Sequence, residues 1–189
     1  MKAPFTFAFL LVGISLPFLA TADVPATQTA DTAIQAIQQA ADPSAAVAAY
    51  ASGYAVDRNN PKLHEAYVSR MVDLGLPELA YHQAQTLTTL NPNNGLAWGV
   101  VAYVDARRLD MTAAISSINL AGPLAPDNKF VVHTAGEILA WYDFKADKTT
   151  IPDNAKSGLD KVRTQFSKEP TMKGVQSTFP TSPFQQPAR

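Results

Sequence analysis

A chain of 189 residues has the length of one ordinary domain, and 47% hydrophobic against 16% charged residues allow it a sizeable core. A formal net charge of −1 argues against a nucleic-acid binder that relies on phosphate contacts, and no Gly-rich dinucleotide or phosphate-cradling motif is present. The absence of cysteine closes the lipoprotein route and leaves packing as the source of stability.

Residues 1–22 read as a signal peptide. Lys2 supplies the positive n-region, Phe5 to Ala20 is an uncharged apolar run interrupted by Pro17, and Ala20-Thr21-Ala22 places cleavage after Ala22. The run is short for a membrane anchor, and no later run nears ~18 apolar residues. The mature chain is therefore expected to be soluble and periplasmic or secreted.

Beyond residue 22 the sequence repeats itself. Leu90-Asn91-Pro92-Asn93-Asn94 and Leu124-Ala125-Pro126-Asp127-Asn128 stand 34 residues apart, and Arg58-Asn59-Asn60 lies one period earlier, without the proline. The units are 27–60, 61–94, 95–128 and an incomplete one from 129. Ala46, Ala80 and Ala114 share one column, and Gly53, Leu87 and Ala121 a later one. Trp98 shares a column with His64 and Val132, and Ala102 aligns with Gly136. Gly75 falls where two helices have to turn.

Helical spacing runs through these units. Ala33, Ile34, Ile37 and Ala40 make one face; Ala66, Tyr67, Met71 and Leu74 make another. Leu79, Ala80, Gln83, Ala84 and Leu87 continue the stripe. Strict alternation is absent, so no sheet is expected. Prolines 92 and 126 end their units because proline lacks the N–H a helix needs, and a following Asn or Asp can cap the next helix.

The repeat ends near residue 143. Residues 144–152 read as a linker, and Asp153 can cap a helix over 153–167 with the stripe Ala155, Leu159, Val162 and Phe166. Its expected role is to cap the last repeat. Residues 168–189, with four prolines among Ser, Thr and Gln, are expected to be disordered. Residues 23–143 carry 6 basic and 12 acidic groups, whereas 144–189 carry 8 and 4. The basic end either docks on the acidic repeats, is simply solvated, or presents Lys156, Lys161, Arg163, Lys168 and Lys173 to an anionic membrane surface or partner.

This pattern resembles the tetratricopeptide repeat (TPR) family, whose unit is two helices in 34 residues. Unit 95–128 carries the signature columns in Trp98, Ala102, Ala114, Ile115, Ala121 and Pro126; unit 61–94 has Tyr67-Val68 where the family favours Leu-Gly. The resemblance covers about residues 27–143. It implies an all-α fold: a right-handed α-solenoid of TPR-like helical hairpins with a C-terminal capping helix. It also implies a concave groove, lined by each unit's first helix, that binds a protein or peptide partner.

Carried onto this frame, the groove columns hold Ser69, Leu96, Tyr103, Arg107, Phe130, His133, Glu137 and Trp141, among others. Glu65 and Ser69 stand where some family members use Lys and Asn to grip a terminal carboxylate, so that clamp is missing. An apolar patch of Tyr103, Phe130 and Trp141 remains, with Arg107 one turn from Tyr103; aromatics and Arg are the types that carry interface energy. Phe130 and Trp141 could instead pack against the helix 153–167. The expected role is a cell-envelope scaffold without cofactor or catalysis. Two alternatives stay open: self-association through the repeats, and a metal-dependent enzyme using His133 and Glu137, which share a helical face at i, i+4.

Overall fold

The computed structural model of the chain describes residues 29–146, 153–167, 177 and 179. The signal-peptide reading of 1–22 lies outside the described residues, as do most of the linker and tail. The described residues are helices and turns, without a strand. The helices are α1 (Ala30–Gln39), α2 (Pro43–Val56), α3 (Pro61–Asp73), α4 (Tyr81–Leu90), α5 (Gly95–Arg107), α6 (Met111–Leu124), α7 (Lys129–Phe144) and α8 (Asp153–Gln165). A 3-10 turn, Pro77–Ala80, leads into α4. None is long and apolar enough to cross a membrane.

The period of the sequence recurs in the helix starts. Helices α3, α5 and α7 begin at residues 61, 95 and 129, and α2, the 3-10 turn and α6 begin at 43, 77 and 111. The cause is local. Asn60, Asn94 and Asn128 each cap a first helix, their side-chain oxygens accepting from Leu63 N (3.3 Å), Ala97 N (2.9 Å) and Val131 N (3.2 Å). Each thereby satisfies a backbone donor that the helix start leaves open. Asp42 and Asp110 do the same for α2 and α6. Leu76 holds that column in the middle unit and has no side-chain oxygen to accept with.

That missing cap corrects one expectation. The 3-10 turn directs Pro77 and Ala80 inward and leaves Leu79 53% exposed, so Leu79 is not part of the apolar stripe. A 3-10 turn advances three residues per turn, which rotates Leu79 out of the α-helical phase.

Two more columns have a physical content. Gly75 and Leu109 both adopt left-handed backbone, with φ of 74° and 65°. Each sits in the same paired closure: Gly75 N to Val72 O and Leu76 N to Met71 O, then Leu109 N to Ala106 O and Asp110 N to Asp105 O. This is the Schellman type of helix ending. In the other column, His64 Nε2 donates to the Arg58 carbonyl at 2.9 Å and Trp98 Nε1 donates to the Pro92 carbonyl at 2.8 Å. Both rings pin the loop six residues back. His64 is buried and also takes the Tyr50 hydroxyl on Nδ1 at 3.0 Å. Trp98 is only half-buried, so its place is over the loop rather than deep between helices.

Most helices pack on the next and the next but one, and α8 packs on α6 and α7. Two apolar clusters result. The first joins α1 to α5 around Ile37, Leu63, Met71, Leu87 and Val100; the second joins α5 to α8 around Ile115, Ile118, Ile138, Leu159 and Phe166. The predicted stripe Ala155, Leu159, Val162 and Phe166 is buried throughout. Gly158 permits this docking, because a Cβ there would overlap the Ile115 side chain of α6.

Candidate functional site

The proposed groove residues fall into two groups. Ser69 lines a cleft of about 480 Å³ with Ile34 and Gln38 of α1 and Lys62, Glu65, Arg70 and Asp73 of α3. Its lining mixes charges of both signs with the apolar Ile34 and Ala66. Arg70 is committed already: its guanidinium donates to the Ala40 carbonyl at the end of α1, from Nε at 2.8 Å. Leu96, at the start of α5, is half-buried and packs on the first cluster, a supporting position more than a contact surface.

The second group lies on α5 and α7. The rings of Tyr103 and Phe130 are 5.5 Å apart and tilted by 53°, within the range where aromatic pairs attract beyond their buried area. Tyr103 touches both clusters and Phe130 packs on the first. Burial, then the nearby Glu78 carboxylate, push the Tyr103 phenol above its ordinary pKa, against the lesser pull of Arg107. Arg107 itself pairs with Glu78 at 3.7 Å, both side chains over two-fifths exposed. Such a pair is worth little, about 0–1 kcal/mol, so Arg107 can exchange it for another acceptor.

Trp141 is half-buried against the second cluster, its ring 5.0 Å from that of Tyr142 and edge-on. Phe130 packs the other way, on the first cluster. His133 is exposed, but Glu137 is buried, with 3.7 Å between Nε2 and Oε1. Glu137 is buried on the side of Tyr103, whose phenol its charge helps to raise, so it is not open to solvent as its column implied. Among the described residues no three His, Asp or Glu side chains gather as metal ligands would.

Sequence reasoning missed Phe179. The tail was expected to be disordered, yet Phe179 is fully buried in the second cluster. Its ring meets Tyr103 edge-on, 5.9 Å between centroids and 64° between planes. Lys145, at the C-terminal cap of α7, donates from Nζ to the carbonyls of Ser177 (3.0 Å) and Phe179 (2.6 Å). The Phe179 amide donates to Ser177 Oγ at 3.3 Å. Burying a phenylalanine stabilises by ~1.5–3 kcal/mol, and the ammonium on two carbonyls adds to that hold. The available signal was a large apolar residue isolated among Pro, Ser and Thr.

The basic end is partly neutralised. Lys156 pairs with Asp153 at 3.0 Å, and Arg163 pairs with Asp143 and with Asp160. Lys168 and Lys173 lie outside the described residues.

Chemically, the α5–α7 face offers flat rings and an ammonium: it can seat an aromatic side chain and hold backbone carbonyls. Compared with family models, curated proteins and solved structures, the chain matches none.

Proposed function

We propose that the mature chain is an exported scaffold of the cell envelope, a right-handed α-solenoid of TPR-like hairpins that binds a partner peptide or protein along the α5–α7 face. The observation that carries the reading is the seating of Phe179: a non-helical segment buries its aromatic side chain on Tyr103 while Lys145 holds its backbone. A surface that accepts one non-helical segment has the shape and donors to accept another. The helix starts at a 34-residue period, each first helix meeting the next first helix, support the stacked-hairpin arrangement. Export follows from the reading of residues 1–22. Binding energy would come from Tyr103 and its aromatic neighbours, with Arg107 orienting the partner.

The test is capture from envelope extract by the mature protein, compared with a variant carrying Tyr103→Ala and Arg107→Ala and checked for unchanged helical content. A protein retained by the wild type and lost by the double variant is the expected result. Equal capture by both overturns the assignment of this face.

A further inference from the structure

The proposed binding face is occupied by the chain itself. Ser177 and Phe179 belong to no helix, and what holds them is a ring on a ring and an ammonium on two carbonyls. We propose that the seat formed by Tyr103 and Lys145 is a site for a non-helical peptide segment that bends at a phenylalanine, and that Phe179 fills it in cis as a competitor of the partner. The proposal deepens the scaffold reading and rests on it.

The chemistry defines the ligand class. Tyr103, backed by Phe130 at 5.5 Å, presents its ring to the edge of a second ring, which selects a flat aromatic side chain. Lys145 has three donors and no acceptor, and it stands where the α7 carbonyls end, a position that favours a cation. It therefore reads two carbonyl oxygens that the bend at Phe179 brings to one donor, a backbone feature rather than a side-chain one. Specificity is left to the ring. A tethered segment competes at an effective concentration on the order of millimolar, so the cis segment sets a threshold that only a tight or abundant partner passes.

The experiment uses the full mature chain and a fluorescein-labelled synthetic peptide of its own residues 174–182, which contain a single phenylalanine. The Phe179→Ala protein is expected to bind this peptide at least about tenfold more tightly than the wild type, because the cis competitor is gone. Changing the peptide's phenylalanine to alanine, or adding Tyr103→Ala to the protein, should abolish binding. A folded Phe179→Ala protein that does not bind, or binds no better than the wild type, overturns the proposal. If that variant fails to fold, hydrogen exchange on the wild type decides. An isotope-heavy copy of the peptide at several millimolar should speed exchange of the Phe179 amide, and unchanged exchange there overturns the proposal. The scaffold reading fails separately: peptide binding without Tyr103-dependent capture from extract sinks the scaffold and keeps the seat, whereas capture without peptide binding sinks the seat alone.

Discussion

The two ends of the molecule treat the same face of the repeat differently. Between α1 and α3 it is, among the described residues, an uncovered cleft whose lining includes the charged or polar Lys62, Glu65, Ser69 and Asp73. On α5 and α7 it is aromatic and is covered by Phe179, while α8 closes the flank against α6. Where the repeated columns supply charge, water can solvate the face and nothing need cover it. Where they supply Tyr103 and Phe130, exposure is costly and a non-repeated element covers it. A run of packed helices must end, and here its apolar face ends against residues from outside the 34-residue period.

The largest expected effect separates the two regions by their cores. Phe166 and Leu63 are both buried, one in the turn that ends α8, outside the period, and one in α3, inside it. Phe166→Ala should cost ~3–5 kcal/mol and Leu63→Ala ~2–5 kcal/mol in urea unfolding. Hydrogen exchange should distinguish them: Phe166→Ala loosens α8 and the tail first, whereas Leu63→Ala loosens α1 to α4. A uniform response from both would mean that the two clusters unfold as one unit.

Gly158→Val is a narrower strike at the same boundary. The added side chain has to displace Ile115 of α6, which should cost ~1–3 kcal/mol and raise exchange in α8 without reaching α3. Protection unchanged in α8 would show that the helix does not dock through that glycine.

Where the two clusters meet, Asp105 is buried and its Oδ1 accepts the Tyr81 hydroxyl at 2.8 Å. Burial raises its pKa despite that bond, with Asp110 adding to the rise and Arg108 opposing it. A carboxyl with a raised folded pKa binds more protons folded than unfolded, so its contribution is most favourable below the unfolded value near ~3.9 and declines as pH climbs through the folded one. Asp105→Asn keeps an acceptor for Tyr81 and removes the titration. Stability measured from pH 4.5 to pH 7 should therefore fall less steeply in the variant than in the wild type. Parallel slopes would mean that Asp105 is charged in the fold as easily as in water.

Much of this was legible in the sequence, because the period is written in residues that act locally. Asn60, Asn94 and Asn128 cap helices wherever they fall, and the stripe of α8 follows from spacing alone. The candidate site was legible in part. Tyr103 and Phe130 come together as their columns implied, but Glu137 is buried and Arg107 is turned to Glu78. Those outcomes depend on which neighbours approach from other units, and a column records only its own position. Phe179 was illegible for a stronger reason: a lone aromatic in a Pro-rich tail has no period, and its burial is decided by a seat more than seventy residues earlier.

The smallest expected effect tests whether the period is physical or merely textual. Gly75 and Leu109 end α3 and α5 with the same hydrogen bonds and the same sign of φ, but only glycine adopts that conformation freely. A left-handed non-glycine residue costs ~1–2 kcal/mol, so Gly75→Leu should destabilise by about that amount, since no atom obstructs a Cβ there. Leu109→Gly should recover the strain and then lose ~0.5–1 kcal/mol to backbone entropy, besides the contacts of a half-buried side chain. The net change is expected to lie within ~1 kcal/mol of zero by thermal unfolding. If Leu109→Gly instead costs several kcal/mol, the leucine side chain is what holds the α5–α6 turn, and the two turns are alike in shape without sharing a cause.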